Sequence, residues 1–304
     1  MITIIGAGRV GSSTAMKLAE MNLDDITLVD VVQGLPQGEA LDISQSCNFD
    51  VKVRGSNDFG DIRGSSLIIN TAGLARKPGM TRTDLANKNA EITRSLAEHI
   101  KTYAPGAVVL QVANPVDLMA LVMMKATGFP RERIVGMGGL LDSQRLSYFI
   151  SRELRVPVKT VNAFVMGEHG ETMVPVFSQA RAGGRPLKEI LKPGRLLELT
   201  EKTRNAGAEV IGLKGSTFYA PSVAIARMAE AIIKDKKAVL PASVYLKGEY
   251  GILGIFLGVP VVLGKSGMEK VVKVELDDEE TAALMDSCKS MFAKAKELGL
   301  DLKK

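Results

Sequence analysis

Short apolar runs alternate with amphipathic segments through the first half of the chain. Most runs end at a glycine or a polar residue, and the segments between them carry apolar residues at three- and four-residue spacing. Short runs bounded by turns are typical of buried strands, and the longer spacing is typical of helices. Strands are predicted at Met1–Ile5, Ile26–Val29, Val51–Arg54, Leu67–Asn70, Ala107–Val112 and Arg133–Val135. Helices are predicted after Gly11 through Met21 and over Gly38–Ser46, Asp84–Tyr103 and Val116–Ala126.

The pattern changes after about Gly138. Helices are predicted there at Leu141–Leu154, Gly194–Gly207, Ser216–Lys234 and Asp277–Leu298, and β-segments at Lys159–Met166, Met173–Ser178, Ala238–Leu246, Leu253–Phe256 and Val259–Leu263. Alternating strands and helices form a parallel, doubly wound sheet, whereas the mixed second half is typical of α+β structure. We therefore expect an α/β chain with a doubly wound domain at 1–138, an α+β substrate domain at 139–304 and a site between them.

Composition indicates an ordinary globular chain, with 46% hydrophobic and 24% charged residues. No apolar run approaches the roughly 18 residues of a membrane span, and the N-terminus does not resemble a signal peptide. Cys47 and Cys288 are the only cysteines, too few for a disulfide framework or a thiolate metal site. The sequence therefore predicts a cytoplasmic protein.

The formal charge of +5 and the pI near 9.1 raise the possibility of a nucleic-acid partner. The basic residues, however, are spread among acids, and aromatic residues make up 5% of the chain without a tryptophan. Stacking platforms for bases are therefore scarce. We interpret the charge as a solvated basic surface that attracts a small anionic substrate, with no nucleic-acid or membrane partner.

The clearest motif is the hexapeptide Gly6-Ala7-Gly8-Arg9-Val10-Gly11, between the first predicted strand and the first helix. In a Rossmann dinucleotide-binding unit, the first glycine makes the turn, the second lets the backbone approach the pyrophosphate, and the third packs helix on strand. Asp30 follows 19 residues after Gly11, at the end of the second strand. A carboxylate there binds the ribose hydroxyls of NAD and repels the extra phosphate of NADP.

Only two histidines occur in the chain, His99 and His169. His99 lies in a predicted amphipathic helix and is interpreted as a solvated or half-buried structural residue. His169 lies between two glycines in Gly167-Glu168-His169-Gly170, where the backbone can turn sharply and present the side chain to a cleft. Imidazole titrates near neutral pH, so His169 is the candidate for proton exchange with a substrate oxygen.

Two further segments carry charges at predicted strand ends. The loop from Leu74 to Arg82 contains Arg76 and Arg82 together with Pro and Gly, which suggests a mobile excursion, although a solvated polar loop would look similar. Asp142 and Arg145 lie three residues apart and share one helix face. They could point into the crevice, or be a helix-start acid and a surface arginine; spacing alone leaves both open.

Together these motifs resemble the lactate/malate dehydrogenase family, from Met1 to about Lys304. The resemblance rests on the order and spacing of the glycine hexapeptide, Asp30, the Arg-Lys-Pro-Gly-Met-Thr-Arg loop, Asn-Pro-Val-Asp, Leu-Asp-Ser-Gln-Arg, Gly-Glu-His-Gly and Lys-Gly-Ser-Thr. One departure is Glu171, where many relatives have Asp. The resemblance implies NAD as cofactor and assembly as a homo-oligomer, either a dimer or a tetramer.

The resemblance also implies roles for individual residues. His169 would exchange a proton with the ketone oxygen, Asp142 would orient its imidazole, and Arg145 would bind the carboxylate beside the reacting carbon. Arg82 would polarise the carbonyl as the loop closes. Asn114 would contact substrate or nicotinamide, although it could be a turn residue before proline. Asn89 would reach the cofactor, although it could instead be an exposed helix residue. Cofactor contacts are further implied for Val112 and the residues Gly6, Ala7, Gly8, Arg9, Val10 and Gly11.

Arg76 distinguishes the possible substrates. At this loop position, lactate-specific members of the family have a residue that resembles a neutral amide, whereas this chain has a cation. A cation would pair with a second carboxylate of the substrate, and it would be costly to bury without that partner. The resemblance therefore implies interconversion of (S)-malate and oxaloacetate. The alternatives are lactate dehydrogenase activity and, from another class, a non-catalytic dinucleotide-sensing module that binds nucleic acid. No metal is implied, because no acid or histidine has ligand spacing around His169.

Overall fold

A computed structural model describes residues 1–46, 48–74, 79–300 and 302 of the chain. The strands of the N-terminal half are β1 (Ile2–Ile5), β2 (Ile26–Val29), β3 (Val53–Ser56), β4 (Leu67–Asn70), β5 (Val108–Gln111) and β6 (Ile134–Gly136). The strands that follow are β7 (Val161–Asn162), β8 (Val165–Gly167), β9 (Met173–Pro175), β10 (Arg181–Ala182), β11 (Arg185–Pro186), β12 (Ala238–Lys247), β13 (Leu253–Gly264) and β14 (Gly267–Val271).

Helices alternate with the early strands and cover the later ones. They are α1 (Arg9–Glu20), α2 (Leu35–Gln45), α3 (Arg82–Tyr103), α4 (Val116–Thr127), α5 (Gly139–Leu154), α6 (Leu187–Ile190), α7 (Pro193–Lys214), α8 (Tyr219–Ile233) and α9 (Asp278–Glu297). Capping boxes begin α3 at Thr81 and α9 at Asp277: each cap side chain accepts the backbone N–H of the third helical residue, and each cap backbone N–H donates to the side chain of that residue. In the described part of the chain, no helix is long and apolar enough to cross a membrane.

One large sheet connects the two halves of the chain. Its strand order is β3-β2-β1-β4-β5-β6-β12-β13-β8-β9, with β14 also paired to β13. The six strands from β3 to β6 are parallel, as the alternation of strands and helices predicts. At Gly136, β6 pairs antiparallel with Ser243 of β12, and the remaining pairs are antiparallel. The α/β class is therefore confirmed, and the two predicted regions share a continuous sheet.

Several predicted elements have different bounds in the structure. The segments predicted at Leu253–Phe256 and Val259–Leu263 form the single strand β13, because Gly258 continues the strand instead of breaking it. The helix predicted to end at Gly207 continues to Lys214 and ends at Gly215, which adopts the left-handed conformation that favours glycine. The strand predicted over Lys159–Met166 is divided into β7 and β8.

The core consists of the apolar strands and the helix faces that cover them. All residues of β1, β2 and β4 are buried, as expected for central strands of a parallel sheet with helices on both faces. One hydrophobic cluster extends from these strands through α4 and α8 to β13 and α9. The carboxyl ends of the parallel strands are consequently held at one rigid edge.

The glycine turn after β1 depends on contacts that side chains would block. Gly6 has φ +98°, and a Cβ on Gly11 would lie 1.9 Å from the Gly6 carbonyl oxygen. Gly8 differs, because a Cβ there would have no heavy atom within 4 Å. Gly11 is therefore required for packing of α1 on the turn, whereas Gly8 leaves open space in front of the helix.

We predict that Gly11→Ala lowers the free energy of unfolding by about 1–3 kcal/mol, because the new methyl group forces α1 away from the turn. Thermal unfolding of the purified variant measures this change. Gly8→Ala is the matched control and should stay within about 0.5 kcal/mol of the parent. It should nevertheless bind NADH at least about tenfold more weakly, since the methyl group occupies the space predicted for the pyrophosphate. Equal stability of the two variants would contradict this assignment.

Candidate active site

The loop that carries His169 begins at the end of β8, which lies between β13 and the edge strand β9 in the large sheet. Gly167 has φ +82°, and a Cβ there would lie 2.8 Å from the Ser287 hydroxyl of α9. A Cβ on Gly138 would likewise lie 2.7 Å from His169 Cβ. Gly167 in the loop and Gly138 before α5 therefore leave room for His169 at the start of α5.

Asp142 holds the imidazole of His169. His169 Nδ1 lies 2.6 Å from Asp142 Oδ2, and the Asp142 side chain is 1% exposed, in the first turn of α5. A carboxylate accepts hydrogen bonds, so Nδ1 carries the hydrogen of this pair and Nε2 is the nitrogen available to a substrate. The structure thus brings together the two residues predicted for proton transfer.

The protonation of His169 is set by opposing effects. Burial favours the neutral ring, but the Asp142 carboxylate and the more distant Asp117 favour the charged ring, and Arg145 opposes them. The result is a pKa of His169 above its ordinary value. The imidazolium is therefore well supported near neutral pH, as a proton donor to a ketone oxygen requires.

Arg145 completes the α5 face. Its Nη1 donates to Asp142 Oδ1 over 3.2 Å, and its side chain is 14% exposed. A Cβ on Gly207 of α7 would lie 3.2 Å from Arg145 Nη2, so the glycine leaves room for the guanidinium. Of the two interpretations left open by the spacing, the structure favours a partly buried arginine beside His169 over a surface arginine.

Asp117 is a second buried carboxylate that the sequence analysis did not single out. It is 3% exposed in the first turn of α4, and its Oδ2 accepts the backbone N–H of His169 over 2.9 Å. Burial raises the pKa of Asp117 to about 6, although the nearby Ser243 hydroxyl and the His169 N–H oppose the shift. Asp117 Oδ1 and Ser243 Oγ themselves lack a partner within hydrogen-bond geometry among the described residues. The only signal in the sequence was the Asn-Pro-Val-Asp motif.

Helix α9 fixes the other side of the His169 loop. Glu168 donates its backbone N–H to Ser287 Oγ over 2.8 Å, and its carboxylate pairs with Lys294. Thr172 donates its hydroxyl to the same carboxylate over 2.6 Å. The backbone on either side of His169 is therefore anchored to α4 and α9, which explains how a glycine-flanked residue is held in one orientation.

Arg82 and Glu171 meet at the rim of the site. Arg82 is the first residue of α3, and its Nη2 lies 2.5 Å from Glu171 Oε1. Both side chains are mostly exposed, and the hydrogen bond from Arg82 lowers the pKa of Glu171. The residue predicted to polarise the carbonyl is thus linked to the loop that carries His169. Glu171, the one departure noted from the family pattern, is its partner.

The strand ends after β4 and β5 are joined by Asn89. This residue of α3 is 1% exposed, accepts the Leu74 N–H over 2.8 Å and donates to the Asn114 carbonyl over 2.7 Å. The Asn89 amide is therefore buried and bonded to backbone groups of both strand ends, and its contact with the cofactor stays a prediction. Asn114 itself is exposed, and Val112 is partly buried at the end of β5.

The residues predicted for NAD fit an anionic dinucleotide. The N-terminus of α1 has no side-chain cap and no acid in its first turn, so its N–H groups and helix dipole are available to phosphate. Asp30 follows β2 and accepts the N–H of Ala7 over 2.7 Å and that of Val32 over 2.9 Å. Asp30 therefore also fixes the glycine turn, a role that sequence reasoning missed.

Two of the residues considered in the sequence remain, Arg76 and His99. Arg76 falls outside the described residues. His99 stacks on Phe59 with ring centroids 4.2 Å apart and is half-buried, as predicted. A cavity of about 770 Å³ lies on the other face of α5, where Ser143, Gln144 and Ser147 line it. It contains none of the residues assigned above to proton transfer or dinucleotide binding.

Comparison with known proteins matches both halves of the chain to one family. A model described as the NAD-binding domain of lactate/malate dehydrogenase matches residues 1–136, and one described as the alpha/beta C-terminal domain matches residues 140–302. Malate dehydrogenase from Methanosarcina mazei is 46% identical over 295 residues, which are 95% of this chain and 96% of that protein.

Solved structures agree with this result. The malate dehydrogenase from Aeropyrum pernix has a TM-score of 0.95 and 43% identity, with 97% of each chain covered. The lactate dehydrogenase from Cryptosporidium parvum, complexed with lactic acid and nicotinamide adenine dinucleotide, has a TM-score of 0.94 and 38% identity, with 99% of this chain and 98% of that one covered. The chain therefore belongs to the lactate/malate dehydrogenase family and is an NAD-dependent dehydrogenase.

Proposed function

We propose that this chain catalyses the reversible, NAD-dependent interconversion of (S)-malate and oxaloacetate. The observation that carries the proposal is the contact of 2.6 Å between His169 Nδ1 and the buried Asp142, which leaves Nε2 to exchange a proton with a substrate oxygen. The curated relatives that are 43–46% identical over nearly the whole chain are malate dehydrogenases, which supports the choice of substrate.

When bound, NADH supplies the hydride that adds to the ketone carbon of oxaloacetate, and NAD accepts it back in the reverse direction. His169 donates the Nε2 proton to the ketone oxygen as negative charge develops there. In the oxidation direction the neutral ring accepts the hydroxyl proton of malate. Asp142 keeps the ring oriented and stabilises the imidazolium in both directions.

The arginines bind and polarise the substrate. Arg145 presents guanidinium nitrogens beside the Asp142–His169 pair, where a bidentate pair would hold the carboxylate adjacent to the reacting carbon. We assign Arg82 to the carbonyl oxygen, which requires it to exchange its exposed partner Glu171 for the substrate. An exposed ion pair contributes little, about 0–1 kcal/mol, so this exchange is inexpensive.

Arg76 supports malate over lactate. A cation in this loop would pair with the second carboxylate of oxaloacetate, whereas pyruvate would leave it unpaired. Lactate dehydrogenase activity is the second candidate, because the Cryptosporidium parvum lactate dehydrogenase has a TM-score of 0.94 to this chain. The backbone alone thus fits both substrates, and the charge of the loop decides between them.

Location, assembly, partners and the division of the chain complete the proposal. We place the enzyme in the cytoplasm as a homo-oligomer, either a dimer or a tetramer, and expect no nucleic-acid partner. We divide the chain at residues 138 and 139 into cofactor and substrate regions, close to the boundary between the two matched family models. Sedimentation velocity measures the assembly directly.

We predict that His169→Asn lowers kcat for oxaloacetate reduction by about 10²–10⁴-fold, because the proton donor is lost while the cofactor site is intact. NADH fluorescence titration should give a dissociation constant close to that of the parent. His99→Asn is the matched control and should retain parental turnover. Near-parental turnover of His169→Asn would assign the proton transfer to another residue.

Asp30→Asn should narrow the preference for NADH over NADPH by at least about tenfold, or roughly 1.4 kcal/mol. The amide no longer repels the 2′-phosphate, and its oxygen can still accept one backbone N–H of the glycine turn. The ratio of kcat/KM with the two cofactors measures the effect. A parent enzyme that already uses both cofactors equally would contradict the role of Asp30.

Arg76→Gln should reduce kcat/KM for oxaloacetate, and the loss should correspond to roughly 2–5 kcal/mol of transition-state stabilisation. The same substitution should raise kcat/KM for pyruvate. The physical reason is that the second carboxylate loses its partner, whereas pyruvate no longer leaves a guanidinium unpaired. Steady-state kinetics with saturating NADH measures both keto acids.

Arg82→Gln is the control for Arg76→Gln. It should reduce activity on both keto acids, because the ketone is common to them. Misfolding would also lower both activities, so changes of opposite sign are specific to a selectivity residue. Equal losses on both substrates in Arg76→Gln would remove Arg76 from the specificity pocket.

A further inference from the structure

Asp117 occupies an unusual position behind the His169 loop. It follows Asn114-Pro115 in the first turn of α4, and its Oδ2 accepts the backbone N–H of His169 over 2.9 Å. Its other oxygen, Oδ1, and the neighbouring Ser243 Oγ are both buried without a hydrogen-bond partner among the described residues. A neutral asparagine could accept the same N–H and donate to Ser243, and would avoid the cost of burying a charge.

Three buried carboxylates surround His169, and two of them have cationic partners. Asp142 accepts a hydrogen bond from Arg145, and Glu168 pairs with Lys294. Asp117 forms no ion pair in the described part of the chain, and the charged groups that act on it are His169 and Glu168. Protonation of His169 is therefore the event that balances the charge of Asp117.

We propose that Asp117 is a positioning residue for proton transfer, which anchors the His169 backbone and stabilises the imidazolium by its otherwise unbalanced negative charge. This inference rests on the proposed function in so far as His169 is the proton donor. Asp142 orients the ring through Nδ1. Asp117 instead accepts the backbone N–H of His169, and its negative charge interacts electrostatically with the ring. The two carboxylates thus have separate tasks.

The sign of the effect follows from the charges. A nearby negative charge favours the protonated ring, so ionised Asp117 contributes to the raised pKa of His169. Burial raises the pKa of Asp117 itself to about 6, so this support is present above about pH 6 and fades below it. Removal of the charge should move the titration of His169 to lower pH.

The test is Asp117→Asn, read first by NMR. The chain contains two histidines, so ¹³C- or ¹⁵N-histidine labelling gives two ring systems, and His169→Asn identifies them. In Asp117→Asn, the midpoint of His169 should move to lower pH, while that of His99, stacked on Phe59, should not move. An unchanged His169 midpoint in the folded variant overturns the proposal.

Kinetics in both directions gives the second readout. At a pH above the His169 midpoint, kcat/KM of Asp117→Asn for oxaloacetate reduction should fall by about three- to tenfold, because less imidazolium is present. On the acidic side of the midpoint but above pH 6, kcat/KM for malate oxidation should rise by a similar factor. A merely structural loss would lower both rates and leave the pH profile in place.

Ser243→Ala tests the same inference independently if Asp117→Asn does not fold. The Ser243 hydroxyl favours the ionised form of Asp117, so its removal should shift the His169 midpoint in the same direction by a smaller amount. If neither folded variant moves the midpoint, the inference is wrong. A shifted midpoint without malate or oxaloacetate activity in the parent would instead refute the proposed function and leave the electrostatic role of Asp117 standing.

Discussion

The antiparallel pairing of Gly136 with Ser243 is the constraint on which the site depends. It joins the last parallel strand, β6, to the first long strand of the second half, β12, and so makes one sheet from two differently patterned regions. A Cβ on Gly136 would lie 2.8 Å from Ser243 Cβ, so this junction requires the glycine. β13 lies two strands from β6, and its Gly258 pairs with Gly167 of β8. A Cβ on Gly258 would lie 2.6 Å from the Gly167 carbonyl oxygen. Close contacts at Gly136 and Gly258 thus connect β8 through β13 and β12 to β6, the last of the parallel strands.

Charge balance explains how so many ionisable groups lie close together. Asp142 and Arg145 form one pair, and Glu168 and Lys294 form another. Removing one partner of a buried pair typically costs about 3–5 kcal/mol, because the other charge remains uncompensated. Arg145 is thus oriented by Asp142 before a substrate arrives. The same carboxylate contacts His169, so one acid positions both the proposed proton donor and the proposed carboxylate-binding group.

The sequence predicted the features that depend on local pattern. Apolar runs of central strands gave Leu67–Asn70 with the bounds that the structure has, and the position of Asp142 at a helix start agreed with its place in α5. Asp117 was overlooked because an acid in the first turn of a helix is ordinarily explained by the helix dipole. Asp117 and His169 are 52 positions apart in the sequence, and a hydrophobic pattern does not predict contacts between residues so far apart. The contacts of Asn89 with Leu74 and Asn114 were likewise not indicated by the sequence, because the fold alone brings these residues together.

Proton transfer and substrate choice are separable in this architecture. The described residues around His169 are the ones that we propose to act on the ketone and on the carboxylate beside it, which all 2-keto acid substrates share. The backbone is similar to that of a malate dehydrogenase with a TM-score of 0.95 and to that of a lactate dehydrogenase with a TM-score of 0.94, so backbone similarity does not distinguish the two. A single desolvated charge, in contrast, is worth several kcal/mol, or several powers of ten in kcat/KM. Under the proposed assignment of Arg76, a change of charge in the loop before α3 would alter the substrate preference, while the glycine contacts and paired acids that hold His169 remain the same.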